Sequence, residues 1–272
     1  MKAGPPPQGA AARRLRRLLG GVGLTLAFVP LGWVGSAALL GDGDRIGLGA
    51  DAKAAKVARF NGVDLLTKPV KHSSLAAHVK RDAVRVFKVP GSKRKSRRLE
   101  ARVLEGRTLP LVMLVEDRRA EWVKVQLPER PNGSTGWVRE DDVRLRLNDW
   151  RVRIDLSAFR IFTYRGPRLI STHTIGVGKS VTPTPRGRYY LTDLIQPDNP
   201  DGLYGTYAFG LSAHSDVVTS FGTGNGQIGI HGTNDTSTLQ TNVSSGCIRV
   251  GNSVIESFAR HFPLGTPVRI VS

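Results

Sequence analysis

The residues best suited to covalent chemistry lie together near the carboxyl end of the chain. "IHGTNDTSTLQTNVSSGCIRV", residues 230–250, holds the only cysteine of the protein, Cys247, and a histidine, His231, sixteen residues ahead of it. A thiol with an ordinary pKa of about 8.5 is only slightly ionised near neutrality, so a nucleophilic cysteine needs a base beside it. An imidazole can take that proton and later return it to a leaving amine. The competing reading is a buried thiol, behaving as a small hydrophobe, that happens to share a stretch with a surface imidazole.

The flanking residues describe how the two groups could meet. "QIGIHG" reads as a strand ending at His231 and Gly232, and "SSGCIRV" as a turn that enters another strand at Cys247. If those strands are neighbours, His231 and Cys247 face each other at one end of a sheet. Ser245, Gly246 and Cys247 offer consecutive backbone N–H groups to a carbonyl oxygen under attack, and Gly246 permits close approach. Losing one such donor typically raises a barrier by roughly 3 to 4 kcal/mol.

With the upstream "GVGKSVTPTPRGRYYL", this pattern resembles the YkuD-type L,D-transpeptidases of bacterial cell walls, over residues 148–272. The resemblance implies a β-rich catalytic domain in which cysteine attacks a meso-diaminopimelate carbonyl of a peptidoglycan tetrapeptide stem. D-alanine leaves, and an amine of a neighbouring stem resolves the thioester to give a 3-3 cross-link. Carried onto this chain, Cys247 is the nucleophile, His231 the base, and the Gly232 carbonyl the group that orients the imidazole. The N–H groups of Ser245, Gly246 and Cys247 receive the oxyanion, and Arg249, Tyr204 and Ser244 contact the substrate. Arg249 has an alternative as a salt bridge beneath the catalytic loop. Ser245 stands where most members have histidine, which leaves His231 as the only histidine the motif supplies. The resemblance also implies a covalent carbapenem adduct and no cofactor. Water resolving the same thioester would give an L,D-carboxypeptidase or a hydrolase that releases wall-bound protein. An inactive peptidoglycan-binding envelope protein is the alternative of another class.

Composition sets the surroundings. The 272 residues include 40 Lys plus Arg against 22 Asp plus Glu, a formal net charge of +18. Such a charge suits nucleic acid, a membrane surface or an anionic wall polymer. A single cysteine excludes an internal disulfide framework and a cysteine-rich zinc site. His72, His78, His173 and His261 show no metal-ligand spacing, so no metal is expected. His214 and Ser212 precede the histidine motif in "LYGTYAFGLSAHS", with His214 read as a satisfied loop histidine. Arg13, Arg14, Arg16 and Arg17 precede an uncharged run from Leu18 to Gly41, long enough for a membrane helix of roughly 20 residues. The segment reads as an anchor or a cleaved signal, which places the remainder in the cell envelope and makes the wall, not nucleic acid, the expected partner.

The expected architecture is mainly β. Residues 1–41 form a basic region with a signal or anchor helix, 42–78 a linker, 79–146 a small barrel, and 148–272 the catalytic domain. Short alternating segments, "AVRVFKV", "LPLVMLVE", "EWVKVQL" and "GWVREDDVRL", supply the barrel strands around the cationic loop "GSKRKSRR". Through "WVKV" and "GWV" this stretch resembles bacterial SH3-like domains, with Trp122 and Trp137 as core residues or, alternatively, a ligand platform. "NSVIESFARHF" has helical spacing with Asn252 or Ser253 as N-cap, and "TPVRIVS" closes the chain as a strand.

Overall fold

Alternation along the chain translates into strands whose apolar sides meet. The computed structural model describes residues 58–60, 63–65, 72–92, 96–104, 106–220 and 224–272. The expected signal or anchor helix, residues 1–41, lies outside the described residues. Among the described residues no helix is long and apolar enough to cross a membrane.

Seven strands form the first sheet: β1 (Ser74–Val79), β2 (Ala83–Phe87), β3 (Ser96–Glu100), β4 (Val112–Arg119), β5 (Trp122–Gln126), β6 (Thr135–Arg139) and β7 (Val143–Asn148). They pair antiparallel in the order β7-β1-β4-β5-β6-β2-β3. Alternate side chains point to opposite faces of a strand, so "WVKVQ" sends Val123 and Val125 into a core with Val84, Val86, Met113 and Val138. Trp122 and Trp137 are buried too, with the guanidinium groups of Arg139 and Arg119 over their rings. Strand β1, all but Val79, falls within the stretch 42–78 expected as a linker. Its sequence, "SLAAHV", has two small apolar residues side by side instead of alternation, and pairing with β7 and β4 makes it a strand. "GWVREDDVRL" is two strands, broken where Glu140–Asp142 form a 3-10 turn.

The second sheet contains β8 (Trp150–Asp155), β9 (Arg160–Arg165), β10 (Arg168–Thr174), β12 (Gly187–Ile195), β13 (Ala208–His214), β14 (Gln227–Thr233), β16 (Ile248–Gly251) and β17 (Pro267–Val271). Its order is β10-β9-β8-β17-β12-β13-β14-β16. Two short strands, β11 (Val177–Gly178) and β15 (Asn242–Ser244), pair parallel beside it. "YRGPR" makes the β9–β10 hairpin with Gly166 at φ 53°, a backbone conformation that favours glycine. Ile154, Ile161, Leu191, Leu211, Ile228, Ile230 and Ile248 fill the core, closed by Ile255 and Phe258 of helix α1 (Asn252–His261), which packs on β14 and β16.

The two sheets share one compact unit. Tyr190 of β12 is fully buried in the core of the first sheet and donates its hydroxyl hydrogen to the Gln126 carbonyl at 3.0 Å. Gln126 Nε2 in return donates to the Arg188 carbonyl at 2.7 Å, and Asn148 Nδ2 to Thr266 Oγ1 at 2.9 Å. These reciprocal bonds leave the buried polar groups of the junction satisfied, which is the condition for burying them at all.

Candidate active site

His231 and Cys247 are brought together by two adjacent strands. β14 and β16 run parallel, with Ile230 opposite Ile248 and His231 opposite Arg249. A fully buried Ile230–Ile248 pair holds this register, so the turn ahead of β16 delivers Cys247 beside β14. There the Gly229 N–H donates to Cys247 Sγ at 3.4 Å. A cavity of about 140 Å³ opens at this end of the sheet, lined by Tyr204, His231, Ser244, Ser245, Cys247 and Arg249 among others. A larger, open depression of about 720 Å³ on the first sheet, lined by Arg81, Arg85, Arg97 and Arg98, contains neither the thiol nor the imidazole.

His231 has a defined tautomer. Its Nδ1 lies 2.9 Å from the Gly232 carbonyl, and a carbonyl can only accept, so Nδ1 carries the hydrogen and Nε2 is the free acceptor. Burial lowers the His231 pKa to about 4, opposed by the Gly232 bond and reinforced by Arg249. Burial likewise raises the Cys247 pKa, against the lowering effects of the Gly229 N–H and Arg249. Both directions favour an uncharged thiol and imidazole at rest over a preformed thiolate–imidazolium pair.

Gly232 also explains the local packing. A Cβ there would lie 2.3 Å from Asn252 Oδ1 and 2.8 Å from Ile255 Cγ2 of helix α1. Gly251 is the N-cap residue of that helix, and the Asn252 side chain accepts from the Thr206 N–H at 3.2 Å instead of capping. That bond fastens the loop carrying Tyr204, whose ring meets His231 edge-on with centroids 5.3 Å apart.

The cysteine turn is held from both sides. Ser244 Oγ accepts from the Gly246 N–H at 3.1 Å and donates to the Cys247 carbonyl at 2.5 Å. The Ser244 hydroxyl is therefore committed inside the turn, and so is the Gly246 N–H that sequence reasoning grouped with the oxyanion donors. Gly246 has φ 116°, and a Cβ would sit 2.8 Å from Ile228 Cδ1. The "GVGKSVTPTP" loop wraps the outside of the turn. Thr184 Oγ1 accepts from Gly178 N at 3.0 Å and donates to the Gly246 carbonyl at 2.9 Å, while Lys179 N donates to the Ser244 carbonyl at 2.9 Å. A Cβ on Gly178 would lie 2.9 Å from Gly246 Cα.

The remaining candidates divide. Arg249 lines the cavity and makes no ion pair among the described residues, and its Nε is buried without a hydrogen-bond partner. Its backbone is fixed by paired bonds with Gly176, N to O 2.9 Å and O to N 3.0 Å. His214 and Ser212 lie outside the cavity lining. The Ser212 hydroxyl accepts from Tyr190 N at 3.2 Å, and His214 Nε2 lies 3.2 Å from Asn225 Nδ2. Sequence reasoning missed the other wall of the cavity, Ser215, Val218, Gly226 and Gln227, which carries no motif of its own. Among the described residues no group of three or more His, Cys, Asp or Glu comes together that could hold a metal ion.

Residues 149–270 match the family profile described as the YkuD L,D-transpeptidase catalytic domain. A Bacillus licheniformis protein whose name assigns it provisionally as the L,D-transpeptidase YkuD is 36% identical over 121 residues, which is 44% of this chain and 65% of that protein. Its Bacillus subtilis counterpart is 31% identical over the same lengths. The chain thus spans a little under two thirds of the length of these two relatives. A solved L,D-transpeptidase from Mycobacterium smegmatis aligns over 60% of this chain and 90% of its own, with 14% identity and a TM-score of 0.37.

Proposed function

We propose that the chain is a cysteine-dependent peptidoglycan L,D-transpeptidase, with residues 149–270 as its catalytic part and Cys247 as the acyl-carrying nucleophile. The observation that carries this reading is the Nδ1 bond of His231 to the Gly232 carbonyl, in the cavity that Cys247 also lines. It leaves the basic nitrogen of a buried, uncharged imidazole available to the thiol.

As sulfur attacks the stem carbonyl, the thiol proton passes to His231 Nε2, a C–S bond forms, and the carbonyl oxygen becomes an oxyanion. The N–H groups of Ser245 and Cys247 are the donors assigned to it, since that of Gly246 serves the turn. His231 then returns the proton to the departing D-alanine amine as the C–N bond breaks, leaving a thioester. An acceptor amine attacks that thioester, gives its proton to His231, and frees the thiol with a 3-3 cross-link formed. Because the resting pair is uncharged, proton transfer accompanies attack. Tyr204 limits where His231 can move, and Arg249 supplies a cation to a substrate carboxylate.

The first sheet, in the segment with SH3-like aromatic and glycine positions, belongs to the same proposal as a wall-facing module. Placement in the cell envelope, attachment or secretion through residues 1–41, and the covalent carbapenem adduct belong to it as well.

The test is incubation of the full chain and its Cys247→Ala variant with a defined disaccharide-tetrapeptide, read by mass spectrometry. Cross-linked dimer from the wild type alone is the expected product. Tripeptide alone would make the protein a hydrolase on the same thioester. Unchanged turnover in Cys247→Ala would overturn the cysteine mechanism, and no product together with no carbapenem adduct would favour a binding protein.

A further inference from the structure

We infer that Arg130 and Asn132, in the turn between β5 and β6 of the first sheet, are positioning residues for the acyl-donor pocket. The assignment of the pocket to the acyl donor rests on the function proposed above, whereas the positioning itself rests on contacts between the two sheets.

One wall of the Cys247 cavity comes from Ser215, Val218 and Gly226, on the segment joining β13 to β14, and from Gln227 at the start of β14. Donors from the turn between β5 and β6 reach four backbone carbonyls at and after the end of β13. Arg130 Nη1 donates to the Asn225 carbonyl at 2.6 Å, and Nη2 donates to the carbonyls of Ser215 at 2.8 Å and Val218 at 3.2 Å. One planar guanidinium therefore ties both arms of the segment together, a geometry that a lysine point charge cannot reproduce. Asn132 completes the clamp at the root of the same segment. Its Nδ2 donates to the His214 carbonyl at 2.8 Å, and its Oδ1 accepts from the His214 N–H at 2.9 Å.

The fit around the clamp leaves no slack. Gly226 has φ 76°, and a Cβ there would lie 1.9 Å from the Val218 carbonyl oxygen and 2.9 Å from Arg130 Nη2. Farther along, Arg102, two residues past the end of β3, bonds the Gln227 side-chain oxygen, while Gln227 Nε2 donates to Thr192 Oγ1 and to the Leu211 carbonyl, each at 2.9 Å. Gln227 begins the strand that carries His231 four residues later. A wall fixed before substrate arrives spares the entropy of ordering it on binding, so the clamp acts on donor affinity, not on the chemistry of the thiol.

The experiment compares the full chain with Arg130→Ala, Arg130→Lys and Asn132→Ala by three readouts. Steady-state kinetics on the tetrapeptide donor should show KM raised about tenfold or more in Arg130→Ala, as expected for losing hydrogen bonds from a charged group, with kcat changed far less. Arg130→Lys should fail to restore it, and Asn132→Ala should show a smaller rise. Alkylation of Cys247 by iodoacetamide, a probe too small to use the wall, should stay within about twofold of the wild-type rate in all three. Amide hydrogen exchange, which needs no substrate, should accelerate at residues 214–218 and 224–227 in both alanine variants. Unchanged KM in folded Arg130→Ala and Asn132→Ala overturns the inference, and so does unchanged exchange protection at those residues. A wild-type chain inactive on the donor while exchange responds as expected would remove the proposed reaction and leave the clamp standing.

Discussion

The two sheets bury different things. In the first, the fully buried side chains are apolar, and among the described residues its buried polar side chains are Gln126 and Asn148. Both face the second sheet, through the Arg188 carbonyl and Thr266. The second sheet buries Thr163, Thr184, Thr192, Asp193, Ser212, His214, Ser215, His231, Thr233 and Ser244, many of them around the cavity or the loops that brace it. A buried polar group without a partner costs roughly 1 to 3 kcal/mol, so most of these are matched in position and direction, with His214 Nδ1 left without a partner among the described residues. The first sheet is stable by shape and the second by matching, and the cost of a mistake differs accordingly.

Replacing Gly246 with alanine is the sharpest way to break the matched region. The φ of 116° disfavours any side chain, and Ile228 stands 2.8 Å from the new Cβ. We expect a loss of the proposed transpeptidation of about 10²-fold or more, the scale of losing one preorganised oxyanion contact, with about 1 to 3 kcal/mol of stability lost to backbone strain. Initial rates and thermal melts on the same preparation separate the two, and near-wild-type turnover would show that the turn tolerates distortion.

Met113→Ala breaks the shape-filled region instead. Met113 is fully buried, so the cavity left behind should cost about 2 to 5 kcal/mol in denaturant unfolding. Turnover per folded molecule should remain within about twofold, because Met113 lies in the core of the first sheet and not in the cavity lining. A turnover loss matching that of Gly246→Ala would erase the distinction between the sheets.

Lowering the pH gives the most graded effect, and it tests what the two regions share. Burial holds His231 in the second sheet at about 4, and burial with Arg146 holds His78 in the first at about 4. Each takes up a proton near 6.5 when unfolded but only near 4 when folded. The unfolded state therefore binds more protons between these values, and stability falls as pH drops from about 6.5 towards 4. Unfolding midpoints measured across that window should decline smoothly. Turnover that needs a neutral His231 should persist to about pH 5, and a loss centred near 6.5 would mean that the ring is solvated.

The meeting of the two candidate segments was legible because each is written in consecutive residues. "IHGT" and "SSGCIRV" name their residue types and end or begin strands, and β14 and β16 are neighbours as the strand reading requires. Helix α1 was legible from its spacing, although Asn252 serves the Tyr204 loop and not the cap. β1 was not legible, because Ala76 and Ala77 interrupt the alternation that marks a strand and only pairing supplies it. Nor was the commitment of the Gly246 N–H to Ser244, since a hydroxyl two residues away can turn inward or outward with equal local ease.

What the residues alone determined is the β character, the strong positive charge and which side chains are candidates for chemistry, because these depend on side-chain type and short-range periodicity. Tertiary structure decided which nitrogen of His231 is protonated, that the Gly246 N–H is committed to Ser244, and that a turn 85 residues before Ser215 holds its carbonyl. Those outcomes depend on the direction of single hydrogen bonds between distant segments, and packing fixes such directions only once both sheets are in place.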